Sequence, residues 1–160
     1  MKLPSRTSLS FLALLLPLAT SLPTTTSSAT ALGSPTNFYI VSCTDGPDDT
    51  DTDTDTFDAI AYYPRGTPNP PDASQSPSAY VEINRPSGPI EGELHAAEFA
   101  GDKWFNVRID AGAGLLKPGE IAGSGDFEGE PFVCFKKSGV VWGEGKVRCE
   151  ARYWCPSIQV

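Results

Sequence analysis

The sequence predicts an all-β, mainly antiparallel domain: a small disulfide-stapled β-sandwich or barrel of about seven to eight short strands. Three observations carry that reading. Runs rich in aromatic and β-branched residues recur along the chain, several of them alternating polar and apolar. Proline is kept to the ends of those runs and the spaces between them, among clusters of Gly, Asp and Ser. Four cysteines, Cys43, Cys134, Cys149 and Cys155, suit an oxidised, cross-linked domain.

The first 21 residues are expected to be a signal peptide. Lys2 and Arg6 precede the apolar run Leu9–Ala19, and Ala19-Thr-Ser21 supplies small residues at the cleavage position. The run is about 11 residues long where a membrane span needs roughly 20, and Pro17 interrupts it. Residues 22–36 are Ser, Thr, Pro and Ala without charge, a composition that buries too little apolar surface to order itself, so a flexible spacer is expected. Residues 37–160 then form a single secreted β-rich domain. No asparagine opens an Asn-X-Ser/Thr sequon. The end of the chain has no hydrophobic tail, so no lipid anchor is expected.

Strands are expected as follows. Phe38–Cys43 is aromatic and β-branched, and Phe57–Tyr63 runs up to Pro64. Ala79–Asn84 sets Val81 and Ile83 against Tyr80, Glu82 and Asn84. Residues 91–100 alternate tolerably, and a strand is preferred there over a short helix. Lys103–Ile109 gives the clearest period of two, with Phe105, Val107 and Ile109 on one face. Pro131–Phe135, Val140–Trp142 and Lys146–Trp154 close the domain, the last with Val147, Cys149, Ala151 and Tyr153 on one face. The Gly-rich stretch from Gly112 to Gly125 reads as a connection.

Four cysteines allow three pairings. Cys149 and Cys155 are six residues apart, roughly 20 Å in an extended strand, against the about 4.4–6.8 Å between the Cα atoms of a disulfide. Of the two remaining patterns, Cys43–Cys155 with Cys134–Cys149 is favoured, because Cys134 and Cys149 stand in consecutive strands. The absence of a Cys-X-X-Cys pair argues against zinc. The acidic run Asp48–Thr56 fails as an EF-hand, because a loop begun at Asp51 has Thr56 where glycine is needed and Tyr62 where glutamate is needed.

The chain carries a net charge of −8, or −10 once the leader is removed, while residues 131–160 hold five basic and two acidic side chains. So acidic a whole excludes nucleic acid as the main ligand, since neutralising phosphates demands a basic face. Catalytic constellations are weak. His95 is the only histidine and no Gly-X-Ser-X-Gly elbow is present; Gly123-Ser-Gly125 lacks the spacing. The carboxylate pairs Glu91/Glu93 and Asp126/Glu128 are what a chain with twenty acidic residues contains anyway. No catalytic residue, metal or other cofactor is expected. Trp104 and Trp154 lie on the polar phase of their strands and, with Tyr153, are the candidate ligand-binding residues.

The leader, Cys43-Thr-Asp-Gly46 after the first strand, Phe57-Asp-Ala-Ile-Ala-Tyr-Tyr-Pro64 and the ending Cys149-Glu-Ala-Arg-Tyr-Trp-Cys155 resemble the small secreted cysteine-containing proteins of filamentous fungi, many of them candidate effectors. The resemblance implies a secreted, extracellular, non-enzymatic binding protein acting at a host or competitor surface. A module binding cell-wall carbohydrate is the alternative and a small secreted hydrolase a third. The expected partner is an extracellular protein or polysaccharide, with no nucleic acid and no membrane anchor, and the protein itself is expected to be a monomer.

Overall fold

The computed structural model describes residues 35–46, 55–65 and 75–158. The expected signal peptide, nearly all of the expected spacer and most of the acidic run Asp48–Thr56 lie outside them. Among the described residues nine strands follow in order: β1 (Asn37–Asp45), β2 (Asp55–Tyr63), β3 (Ala79–Asn84), β4 (Leu94–Phe99), β5 (Lys103–Ile109), β6 (Ile121–Phe127), β7 (Glu130–Lys136), β8 (Val140–Glu144) and β9 (Val147–Pro156). Among the described residues a single 3₁₀ turn, Ala113–Leu115, interrupts the strands. All named pairs are antiparallel, and the sheet runs β3-β2-β1-β9-β7-β6-β5-β4. The strands at its two ends, β3 and β4, come close without pairing, so the sheet is a nearly closed barrel.

Strand β9 forks the sheet. Its first half pairs with β8 and its second half with β7, while β1 runs beside both. The register against β1 slips between Ile40↔Tyr153 and Val41↔Ala151, leaving Arg152 as the extra residue of a β-bulge. Side chains alternate with a period of two, so one extra residue exchanges the faces. Cys149 and Ala151 accordingly join one apolar cluster, whereas Tyr153 and Cys155 join the other. The expectation that Cys149, Ala151 and Tyr153 share a face is corrected here.

The two clusters lie on opposite sides of β1. Inside the barrel, Phe38 stacks on Phe105 with ring centroids 3.8 Å apart, and meets Phe127 and Phe132 edge-on at 5.1 and 5.3 Å. Ile40, Ile60, Val107, Ile109 and Tyr153 complete this core. On the other side, Tyr39, Val41, Phe57, Ala59 and Tyr63 pack with Val141 and Trp142 of β8. Trp142 reaches on to Tyr80 of β3 at 5.2 Å between centroids. This double burial explains why β1 is hydrophobic almost throughout rather than alternating.

The bulge also decides the disulfides. Cys43 stands directly opposite Cys149 in the β1–β9 register and is bonded to it, with Cα atoms 4.1 Å apart; Cys134 is bonded to Cys155 at 4.0 Å. The favoured pairing, Cys43–Cys155 with Cys134–Cys149, is therefore wrong. Cys43 and Cys149 belong to the outer cluster, Cys134 and Cys155 to the barrel core, and the sheet itself separates the two pairs.

Strand β6 is the second departure, because it occupies the end of the Gly112–Gly125 stretch that the sequence reads as a connection. Glycine ordinarily weakens a strand, but here two glycines are required by close approach. A Cβ on Gly123 would stand 2.2 Å from the Arg108 carbonyl oxygen, and one on Gly125 would stand 2.9 Å from the Phe105 ring. β6 then turns into β7 through Glu128-Gly129, both with positive φ (56° and 82°), as a two-residue hairpin turn requires.

Two outcomes follow. Non-reducing peptide mapping will recover Cys43–Cys149 and Cys134–Cys155, and recovery of a Cys43–Cys155 peptide contradicts the bulge. Gly123→Ala will lower the urea-unfolding free energy by at least about 2 kcal/mol through backbone overpacking, and an unchanged midpoint contradicts the close approach.

Candidate functional site

The inner face of β1 and β2 changes character along its length. Phe38, Ile40 and Ile60 fill the barrel, but Ser42, Thr44, Thr56 and Asp58 continue the same faces beyond it. There the segment 85–91 crosses the end of the barrel, and a charged cluster joins it to the sheet. Asp58 is fully buried. Its carboxylate accepts hydrogen bonds from Ser42 Oγ and Ser87 Oγ, both at 2.6 Å, and from the Gly88 N–H at 2.8 Å. Arg152, at the bulge, donates through Nη1 to the Gly88 carbonyl at 3.1 Å and stands 3.8 Å from Asp58. Its Nη2 meets both carboxylate oxygens of Glu91, at 2.9 and 3.2 Å, and the Tyr153 hydroxyl donates to the same carboxylate.

Burial alone would raise the Glu91 pKa, but the Tyr153 hydroxyl, the neighbouring backbone N–H groups and Arg152 outweigh it and hold the carboxyl at about 2. Burial and the Glu91 carboxylate push the Tyr153 hydroxyl well above its ordinary value. Lys136 lays its ammonium over the Tyr153 ring, 4.6 Å from the centroid, and burial first, then Arg152, lowers its pKa. These groups satisfy one another. Beside them, a cleft of about 290 Å³ is lined by Ser42, Cys43, Thr44, Thr56, Ser87, Arg148 and Glu150.

A further concave surface lies on the outer face of β7 and β9. Trp154 and Phe135 are directly opposite in register, their ring centroids 5.8 Å apart and their planes tilted by 34°. With Pro118, Gly119, Lys136 and Lys137 they line a cleft of about 410 Å³. Trp154 Nε1 donates to Asn37 Oδ1 at 2.9 Å, which fixes the indole. Ile121, opposite Phe135 on β6, extends the apolar row and is 65% exposed.

The sequence-predicted residues are thus dispersed. Trp154 lines the cleft. Tyr153 is completely buried and is corrected from a ligand contact to a core residue, because the bulge turns it inward. Trp104 is exposed, but it sits beside Glu128 at the opposite end of β6 from Ile121, roughly 20 Å along the strands, so the two tryptophans share no platform. His95 is half-buried with Nε2 at 3.2 Å from the Ile90 carbonyl. Asp126 accepts the Gly129 N–H at the β6–β7 turn, and Glu128 accepts the Trp104 N–H of β5. Sequence reasoning missed Phe135, Lys137 and the ionic role of Arg152; the one available signal was Asp58 standing inside an otherwise apolar run.

These features define a doubly disulfide-bonded, nearly closed antiparallel barrel. No protein-family model matches the chain, and neither a curated protein nor a solved structure matches it. Two disulfides fit an extracellular protein, and among the described residues no helix is long and apolar enough to cross a membrane.

A group whose folded pKa is depressed stabilises the fold above its unfolded pKa and loses that contribution as pH falls through the folded value. For Glu91 the window runs from about 4.5 down to about 2. Unfolding free energy will fall across this window, and Glu91→Gln will flatten part of that slope while lowering stability at neutral pH; an unaltered pH profile contradicts the Glu91 environment.

Proposed function

We propose that this is an extracellular, non-enzymatic binding protein whose contact surface is the Trp154–Phe135 cleft. The observation that carries the reading is the cleft itself: two half-buried aromatic side chains lining a concavity on a cross-linked sheet, one of them fixed by the Asn37 hydrogen bond. Large aromatics with an anchored polar edge make rigid contact area at little entropic cost. The charged cluster at the end of the barrel supports the same reading. Its carboxylates are engaged by Arg152, Tyr153, two serines and backbone N–H groups, an arrangement that braces segment 85–91 rather than leaving an acid or base poised for transfer. A role as an effector-like protein at a host or competitor surface, in keeping with the fungal secreted proteins that the sequence resembles, is part of this proposal.

Carbohydrate is the ligand class that the cleft favours, because tilted aromatic planes on a rigid strand pair suit the flat CH faces of sugar rings. Retention of the oxidised protein on insoluble cell-wall preparations will fall at least about tenfold in Trp154→Ala, the scale of an aromatic anchor, and will be unchanged in Trp104→Ala. Equal retention of the wild type and Trp154→Ala contradicts the proposal.

A further inference from the structure

We infer that the cleft takes a glycan bearing carboxylate groups, of the uronate type, rather than a neutral one. This rests on the binding reading above and adds the charge of the ligand. Lys137 lines the cleft beside the two rings, and among the described residues its ammonium has no carboxylate partner. The neighbouring cations are differently placed: Arg152 is engaged by Glu91, and Lys136 turns back over Tyr153. Glu120, next in the chain to the cleft residue Gly119, accepts the Lys117 backbone N–H at 2.7 Å.

An unneutralised lysine next to an aromatic pair is therefore a local positive spot on a chain whose net charge is −8. At physiological ionic strength the screening length is about 8 Å, so contact is governed by the charges at the cleft rather than by the total. A single ammonium matches a single carboxylate as a point charge. The aromatic planes supply stacking that a neutral sugar would use equally, so Lys137 is the element that discriminates. The concavity, about 410 Å³, suits a polymer segment better than the flat boundary of a bilayer.

The test is titration calorimetry of the full oxidised protein with three probes: soluble polygalacturonate, its fully methyl-esterified form, and vesicles of phosphatidylserine and phosphatidylcholine. The ester keeps the sugar rings and removes the charge. The expected result is binding to polygalacturonate, weaker binding to the ester and loss of affinity as salt rises. Lys137→Gln, with an unchanged melting midpoint, will weaken binding to polygalacturonate about threefold, as for a surface ion pair, and leave binding to the ester unaltered. Equal affinity for acid and ester, with Lys137→Gln silent, overturns the inference and leaves the cleft reading standing if Trp154→Phe still weakens both. Binding to neither polymer overturns the inference and the carbohydrate reading together. Binding to vesicles alone overturns the inference in favour of a membrane surface.

Discussion

The bulge at Arg152 is the constraint on which the rest of the molecule depends. One extra residue in β9 lets the same strand serve two cores, giving Cys149 and Ala151 to the outer cluster and Tyr153 and Cys155 to the barrel. It also places a guanidinium where the barrel interior turns polar, between a fully buried carboxylate and a nearly buried one. Removing one partner of such a cluster leaves the others desolvated without compensation, which costs far more than a surface ion pair contributes. The same extra residue turns Trp154 outward. Site and core are set by one local event.

Charge is divided between two tasks. Asp58, Arg152, Glu91 and Tyr153 hold segment 85–91 across the barrel end. Arg85 does a related job further out, pairing with Asp55 and Glu82 while lying 4.5 Å over the Phe57 ring. Lys137 is left to the surface. In a small domain the two cross-strand disulfides add to this bracing, by about 5 kcal/mol for the loop of 106 residues and about 3 kcal/mol for that of 21 in the chain-entropy account.

Much of the fold was legible in the sequence. Period-two runs identified β5 and β3 with their correct inward faces, because each has one apolar and one polar side. Residues 94–99 are a strand, as preferred over a helix. β6 was not legible, since Ile121-Ala-Gly-Ser-Gly-Asp-Phe127 has the composition of a loop and its glycines answer to Arg108 and Phe105, neighbours that only the folded sheet supplies. The bulge was invisible for a related reason: β9 keeps its alternation through residue 152, and nothing local marks where the faces exchange. That single slip undid both the disulfide ranking and the assignment of Tyr153 to a binding surface. Of the candidate site, Trp154 was found from its polar phase, while Phe135 was hidden because an aromatic in a strand reads as core.

The decisive quantity is the energetic coupling between Arg152 and Asp58, measured by a double-mutant cycle of urea unfolding under oxidising conditions. Arg152→Ala alone should cost about 3 kcal/mol by leaving Asp58 buried without its cation. The Arg152→Ala/Asp58→Asn double variant should be destabilised by less than the sum of the two single variants, by at least about 1 kcal/mol. Additive effects, or a small effect of Arg152→Ala of the size seen for surface charges, would contradict the claim that the ionic fork at the bulge holds the fold.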